Sequence, residues 1–309
     1  MSDAFGVPLL IANPRHGRGN ATVLARLIGA LRARGVDADV VTTERPGHAV
    51  EIARQAVEDA GRTYLVAVGG DGTVHEVLNG VVDAATGEVR GEDPVVGAVG
   101  AGTGCDLLRT FGLDRSPEVL ADHLVTEHTL RIDVGRVTLT GVDGRRTSRV
   151  FANLAEVGYG GQVVALANRL PRWIGRARYG IAIVGAVSRF RHVACDVTVD
   201  QGSVHQDLSN VLVANGQFFA GGLKVAPRAL PTDGRFNVQV WGARPIDVVT
   251  ATRQLRSGDH LARPDVREWQ SATVEVSAER PLIVEGDGEV LGTTPASFDV
   301  LEGALRFKL

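Results

Sequence analysis

The chain has 309 residues, a formal net charge of −3 and two cysteines, Cys105 and Cys195, without metal or redox spacing. That length accommodates two domains with separate cores, and the charge gives no basic footprint for nucleic acid. Residues 1–7 lack the charged and apolar regions of a signal peptide, and no apolar run reaches the ~18–20 residues needed to span a bilayer. With reduced thiols this predicts a cytoplasmic protein that at most lies on a membrane surface. Lysine occurs only as Lys224 and Lys308, so phosphate contacts must come from guanidinium groups and backbone amides.

A first strand is expected over Val7–Ala12, ending in Asn13-Pro14-Arg15-His16-Gly17-Arg18-Gly19-Asn20. A helix follows, with Val23, Leu24, Leu27, Ile28 and Leu31 on one face. A second strand runs from Ala38 to Thr42, and Thr43–His48 leads into a helix through Val57. Tyr64–Val68 is an apolar, β-branched run that reads as a buried parallel strand. It feeds Gly69-Gly70-Asp71-Gly72-Thr73, after which Val74, Val77, Leu78, Val81 and Val82 recur at helical spacing. A fourth strand, Val95–Val99, closes on Gly100-Ala101-Gly102-Thr103-Gly104-Cys105-Asp106. Alternating strands and helices predict a doubly wound parallel α/β domain, with every glycine-rich loop on the carboxyl edge of its sheet.

From about Arg131 the rhythm changes. Arg131–Leu139, Val150–Leu154, Ala194–Val199, Ser209–Ala214, Phe236–Val240, Ala272–Ser277 and Leu282–Glu285 read as short strands separated by turns, the spacing of an antiparallel β-sandwich. Helical interruptions are expected around Gln162–Arg191 and Ile246–Ser257. The boundary falls near residue 130, giving an α/β nucleotide-binding domain over 1–130 and a β-sandwich domain over 131–309. A return of the last residues to the first domain is left open.

The turn after Val68 carries almost no side chains, so backbone N–H groups can approach an anion at a helix N-terminus. Asp71 in that place points to a cation between carboxylate and phosphate, hence a metal–nucleotide site. The plainer alternative is a tight turn in which Asp71 caps its helix. Other chemistries lack their motifs. There is no P-loop, no Gly-x-Gly-x-x-Gly fingerprint and no Gly-x-Ser-x-Gly elbow, and Asn79 stands where a zinc-protease helix beginning His75-Glu76 needs its second histidine.

Further pieces follow in order: Asp133-x-Gly135, Asn153 with Gly158-Tyr159, Asn215–Gly222, Pro227, Asp233-Gly234 and Asp287-Gly288-Glu289. Together with Asn13-Pro14, Gly69–Thr73 and Gly102-Thr103, this ordered set resembles the diacylglycerol kinase catalytic family, which includes bacterial lipid kinases and sphingosine and ceramide kinases. The resemblance covers nearly the whole chain. It implies ATP and a lipid such as diacylglycerol meeting in a cleft, with Mg²⁺ as cofactor. Nucleotide contacts are implied at Asn13, Thr43, Gly69, Gly70, Asp71, Gly72, Thr73 and Thr103. Glu289 matches the proton acceptor, with Asp287 beside it. A structural metal is implied at Asp233, completed by the carbonyls of Leu230 and Arg235.

Phosphoryl transfer asks for positioning and charge neutralisation, which glycine loops, Mg²⁺ and one proton-accepting carboxylate supply. Adjacent carboxylates on the Asp287–Glu289 turn repel, so a raised carboxyl pKa is expected there. The alternative for this turn is a solvated Asp-Gly hairpin. Cys105 departs from the family's usual asparagine and cannot replace an amide as donor and acceptor.

Arg169, Arg172, Arg176, Arg178, Arg189 and Arg191 lie in a segment free of acidic residues, interleaved with Trp173, Ile174, Tyr179, Ile181 and Ile183. This suits peripheral contact with an anionic membrane, the alternative being a core helix flanked by solvated arginines. The functional expectation is an ATP-dependent lipid kinase. The alternatives are an NAD kinase-like enzyme, or a regulator that binds nucleotide or lipid without catalysis. A homodimer is left open.

Overall fold

A computed structural model of the chain describes residues 5–13, 18–101, 105–171, 177–242 and 252–309. The chain divides into two compact units, Met1–Val134 with Leu301–Leu309, and Gly135–Val300.

The first unit runs β1 (Leu9–Ala12), α1 (Arg18–Ala33), β2 (Asp39–Thr42), α2 (His48–Glu58), β3 (Tyr64–Gly69), α3 (Asp71–Val81), β4 (Val95–Gly100), α4 (Asp106–Thr110) and α5 (Pro117–Leu124). Its strands are parallel in the order β2-β1-β3-β4. β3 is buried along its whole length, whereas all four residues of the edge strand β2 are exposed. β5 (Thr129–Gly141) carries the chain out of this unit, and β15 (Glu289–Lys308) brings it back. Arg306 and Phe307 extend the sheet by pairing parallel with Val95 and Val96 of β4.

The second unit adds β6 (Arg146–Phe151), β7 (Leu154–Gly158), α6 (Tyr159–Arg169), α7 (Ala177–Arg189), β8 (Val193–Val199), β9 (Gly202–Leu208), β10 (Asn210–Ala214), β11 (Phe236–Trp241), α8 (Thr252–Ser257), β12 (Val266–Ser271), β13 (Thr273–Ala278) and β14 (Ile283–Gly286). The path β12-β11-β10-β7-β14-β15 is antiparallel, and β13 joins β15 to β8 and β9. Alternating inward residues build one core, including Phe151, Val157, Val197, Val213, Phe236, Val284 and Phe298. Phe151 stacks on Phe236 with centroids 5.6 Å apart and meets Phe298 edge-on at 6.3 Å.

Several sequence expectations need correction. Val150–Leu154 is not one strand: β6 ends at Phe151 and β7 starts at Leu154, because the intervening amides turn to a carboxylate described below. The helical interruption expected around Gln162–Arg191 is present as two helices, the first ending where Leu170 adopts an extended conformation (φ −80, ψ 145) before Pro171. Strands β9 and β12, the length of β15, and helices α4 and α5 had no sequence forecast. Of the expected helix Ile246–Ser257, residues 246–251 lie outside the described residues. Among the described residues, no helix is long and apolar enough to cross a membrane.

Candidate active site

In the first unit the carboxyl ends of the parallel strands are stitched together by backbone hydrogen bonds. Thr43 N–H donates to Ala12 O (2.9 Å), Asn13 N–H to Val68 O (3.2 Å) and Ala101 N–H to Gly69 O (2.9 Å). Asn13, Thr43 and Gly69 therefore stand side by side on one sheet edge. Connections from β1 and β3 leave in opposite directions along the order β2-β1-β3-β4, and such a switch point opens a crevice for a ligand. Asn20, 4% exposed, donates from Nδ2 to Asn13 O at 2.8 Å and holds the loop end in place.

Gly69 has room only for hydrogen, since a Cβ there would come within 2.6 Å of Thr73 Cβ. The following helix α3 has Gly70 as its N-cap, with no side-chain cap bond. First-turn amides of a helix have no intrahelical acceptor and favour an anion, so a backbone cradle of this kind fits a phosphate. Asp71 lies in the first turn of α3. Its Oδ1 accepts the Asp106 amide at 3.0 Å, tying the β3–α3 turn to the start of α4. Asp106 is itself buried and paired with Arg109 at 2.6 Å. Cys105 Sγ lies 4.0 Å from Gly69 O, and a Cβ on Gly100 would strike that sulfur, so the thiol packs against the glycine turn. Thr103 lies outside the described residues. Glu76 was not forecast at all: its two carboxylate oxygens accept the amides of Gly47 (2.9 Å) and Ala49 (3.0 Å), capping α2.

In the second unit the register brings four separate pieces of sequence to one sheet edge. Ala214 pairs with both Asn237 and Leu154, and Ala155 with Gly286. Hence Asp233, Asn215, Asn153 and Asp287 sit just beyond that edge on neighbouring strands. Asp287 and Gly288 form a two-residue hairpin turn with φ of 51 and 86, matching the left-handed type I′ geometry expected for Asp-Gly. The turn is not a solvated one at Asp287. That carboxylate is 8% exposed, and its oxygens accept the amides of Ala152 (2.9 Å), Asn153 (2.9 Å) and Leu154 (3.2 Å). The same backbone is gripped from the other side, where Asn215 Nδ2 donates to Ala152 O at 2.8 Å and Asn153 Nδ2 to Phe218 O at 2.9 Å. Glu289, the residue after Gly288, is exposed.

Asp233 lies three strands from Asp287 in the order β11-β10-β7-β14, about 14 Å at the usual strand spacing. Its Oδ1 accepts the Arg235 amide at 3.1 Å, an Asx turn leading into β11. One carboxylate with main-chain carbonyls of Leu230 and Arg235 is an oxygen-only donor set suited to a hard cation. Among the described residues, no cluster of three or more His, Cys, Asp or Glu side chains gathers to hold a metal.

Beneath the turn, Glu156 and Glu285 have raised carboxyl pKa values. Burial pushes Glu156 up to about 7. Burial, and then the charge of Glu156, push Glu285 well above the usual carboxylate range. An acidic residue in the otherwise apolar strand Leu154–Gly158 was the available sequence signal.

Comparison with known proteins assigns this architecture. Residues 8–137 match the model of the diacylglycerol kinase catalytic domain, and residues 153–308 match the YegS C-terminal NAD kinase beta sandwich-like domain. The chain is similar to a diacylglycerol kinase of Mycobacterium tuberculosis, 31% identical over 98% of this chain and 94% of that protein. It is also similar to a "Probable lipid kinase YegS-like" of Pseudomonas fluorescens, 29% identical over 91% of this chain and 89% of that one. In fold it resembles a crystal structure of a diacylglycerol kinase from Bacillus anthracis str. Sterne, with a TM-score of 0.70, 20% identity and coverage of 99% and 98% of the two chains. A doubly wound domain followed by a β-sandwich, with both family models matched in order, means that the chain belongs to the diacylglycerol kinase family of lipid kinases.

Proposed function

We infer that the protein transfers the γ-phosphoryl group of ATP to a hydroxyl of diacylglycerol or a related lipid. The observation that carries this reading is the division of labour on one hairpin turn. Asp287's carboxylate accepts backbone amides and holds the turn, while Glu289, two residues on, is exposed and of the chemical type that accepts a proton. The nucleotide's phosphates would rest on the Gly69–Thr73 turn and the start of α3, flanked by Asn13 and Thr43, with Asp71 holding the accompanying Mg²⁺. When bound, that ion supplies charge neutralisation on the phosphate oxygens. Glu289 takes the hydroxyl proton as the lipid oxygen bonds to phosphorus and the bridging oxygen departs with ADP. A second cation at Asp233, with the carbonyls of Leu230 and Arg235, would brace the sheet edge rather than touch reacting atoms.

The purified protein should be incubated with labelled ATP, Mg²⁺, a panel of lipids and NAD. Label is expected in a lipid bearing a free hydroxyl, and lost in E289Q and D71A, the latter through nucleotide and metal binding. Label in NAD overturns the lipid reading, and label nowhere overturns the kinase activity itself.

The same reading extends to an anionic membrane surface as the lipid's source. On α7, Ile181 is 51% and Val184 69% exposed, one helical turn apart in a helix without an acidic residue. Ala182 and Ala186 on its other face pack against Tyr159 and Val163 of α6. Arg172, Trp173, Ile174 and Arg176 lie outside the described residues.

A further inference from the structure

Beneath the Asp287 turn lies a pair of acids that the reaction described above does not use. Glu156 on β7 and Glu285 on β14 oppose each other in register across an antiparallel pair. Their neighbours Val157 and Val284 enter the sandwich core, so both acids point to the other face of the sheet. Directly opposed residues have Cβ atoms about 4.5–5.5 Å apart. α6 seals them in: Glu285 is 0% exposed and Glu156 8%, and a Cβ on Gly160 would run into the Glu156 carboxylate.

Their hydrogen bonds are unevenly met. Glu156 Oε1 accepts from Asn210 Nδ2 at 2.8 Å, and Asn210 Oδ1 in turn accepts the Gly160 amide at 3.1 Å. Glu285 Oε2 accepts the Gly288 amide at 2.9 Å, reaching the very turn that carries Glu289. Glu285 Oε1 is buried with no hydrogen-bond partner among the described residues. Among the described residues, the charged and titratable groups that bear on the pair are Asp287 and Glu289 from the turn and the Tyr159 phenol from α6, all of them acids. Two carboxylates so placed do not both ionise in a low-dielectric interior unless a cation lies between them. A proton on one of them replaces repulsion with an O–H···O bond and gives the stranded oxygen a partner.

We propose that Glu156 and Glu285 share a proton, and that this proton keeps Glu285 on the Gly288 amide and so positions Glu289. The catalytic consequence rests on Glu289 as proton acceptor; the shared proton does not. Burial raises both carboxyls, Glu156 to about 7, in agreement with the geometry. The unfolded chain then releases these protons first as pH rises above the glutamate value of 4.5. Native stability therefore falls from there through about 7 and beyond, until the pair is fully ionised. Over the same range the turn loosens and turnover declines.

Infrared spectra should show a protonated-carboxyl C=O band in the wild type at neutral pH. That band is expected to change in E156Q, where burial leaves Glu285 alone to hold a proton, to vanish in the E156Q/E285Q double variant and to persist in E289Q. In E156Q the introduced amide donates to Glu285 at every pH, so the alkaline loss of both unfolding midpoint and kcat should flatten. E285Q takes away the carboxyl that accepts the Gly288 amide and shares the proton, and should lower kcat about tenfold to a hundredfold with KM for ATP unchanged. The proposal is overturned by a neutral-pH wild-type spectrum without the band, by E156Q keeping the wild-type pH dependence, or by a band that appears only once divalent cations are removed. Full turnover in E289Q, with band and pH effect intact, would uphold the shared proton and refute Glu289 as the base.

Discussion

Asp287 holds the break between β6 and β7 open by taking amides that a continuous strand would have given to its neighbour. Replacing it with asparagine removes the charge and leaves one side-chain oxygen for amides now shared between two. D287N should lower the unfolding free energy by about 2–4 kcal/mol in urea titrations, beyond any effect on turnover. Glu76 does the same for α2, whose N-cap Gly47 brings no side chain of its own. E76A should cost about 1–2 kcal/mol by the same measurement. At this scale the sequence announced the residues whose backbone needs are unusual: Gly69 against Thr73, and Asp287-Gly288 in a left-handed turn. It was silent on Glu156, Asn210 and Glu76, because what makes them matter is a partner that only the fold supplies.

Among elements, strands with strong alternation or dense β-branching were legible, as at Tyr64–Gly69 and Val193–Val199. β9 was not, because its sequence Gly-Ser-Val-His-Gln-Asp-Leu is largely polar and, among the described residues, pairs only with β8. β15 was hidden for another reason: glycines at 292 and 303 and Pro295 interrupt the pattern, yet the strand continues through them with partners on successive stretches. The carboxyl-edge loops were readable because alternation of strand and helix fixes where such loops fall. The helix α7 carries the element-level test. Anionic vesicles should bind the wild type more tightly than neutral ones. I181E/V184E should weaken that binding by roughly tenfold or more, since each side chain offers about 1.5–3 kcal/mol of burial. Its thermal midpoint should stay at the wild-type value, as both side chains face away from the α6 contact. Equal binding to neutral and anionic vesicles would remove α7 from the account.

For the molecule as a whole, the order of units along the chain differs from the order of domains along the sequence. Residues 301–309 complete the first unit after the second has been threaded, and Leu305 and Phe307 are both 0% exposed there. Lys308 packs with them, donating to Thr126 O and to His128 O at 3.2 Å. F307A should cost about 3–5 kcal/mol, read as early unfolding of the first unit. Deleting residues 301–309 should leave β4 with an open edge and the protein prone to aggregate on heating. The consequence reaches into biosynthesis. On the ribosome, residues 1–134 must wait for residues 135–300, some ~10–30 s at ordinary elongation rates, before their sheet can close. A chain cut short anywhere in that interval has made every glycine of the carboxyl-edge turns and still lacks the strand that would let them hold.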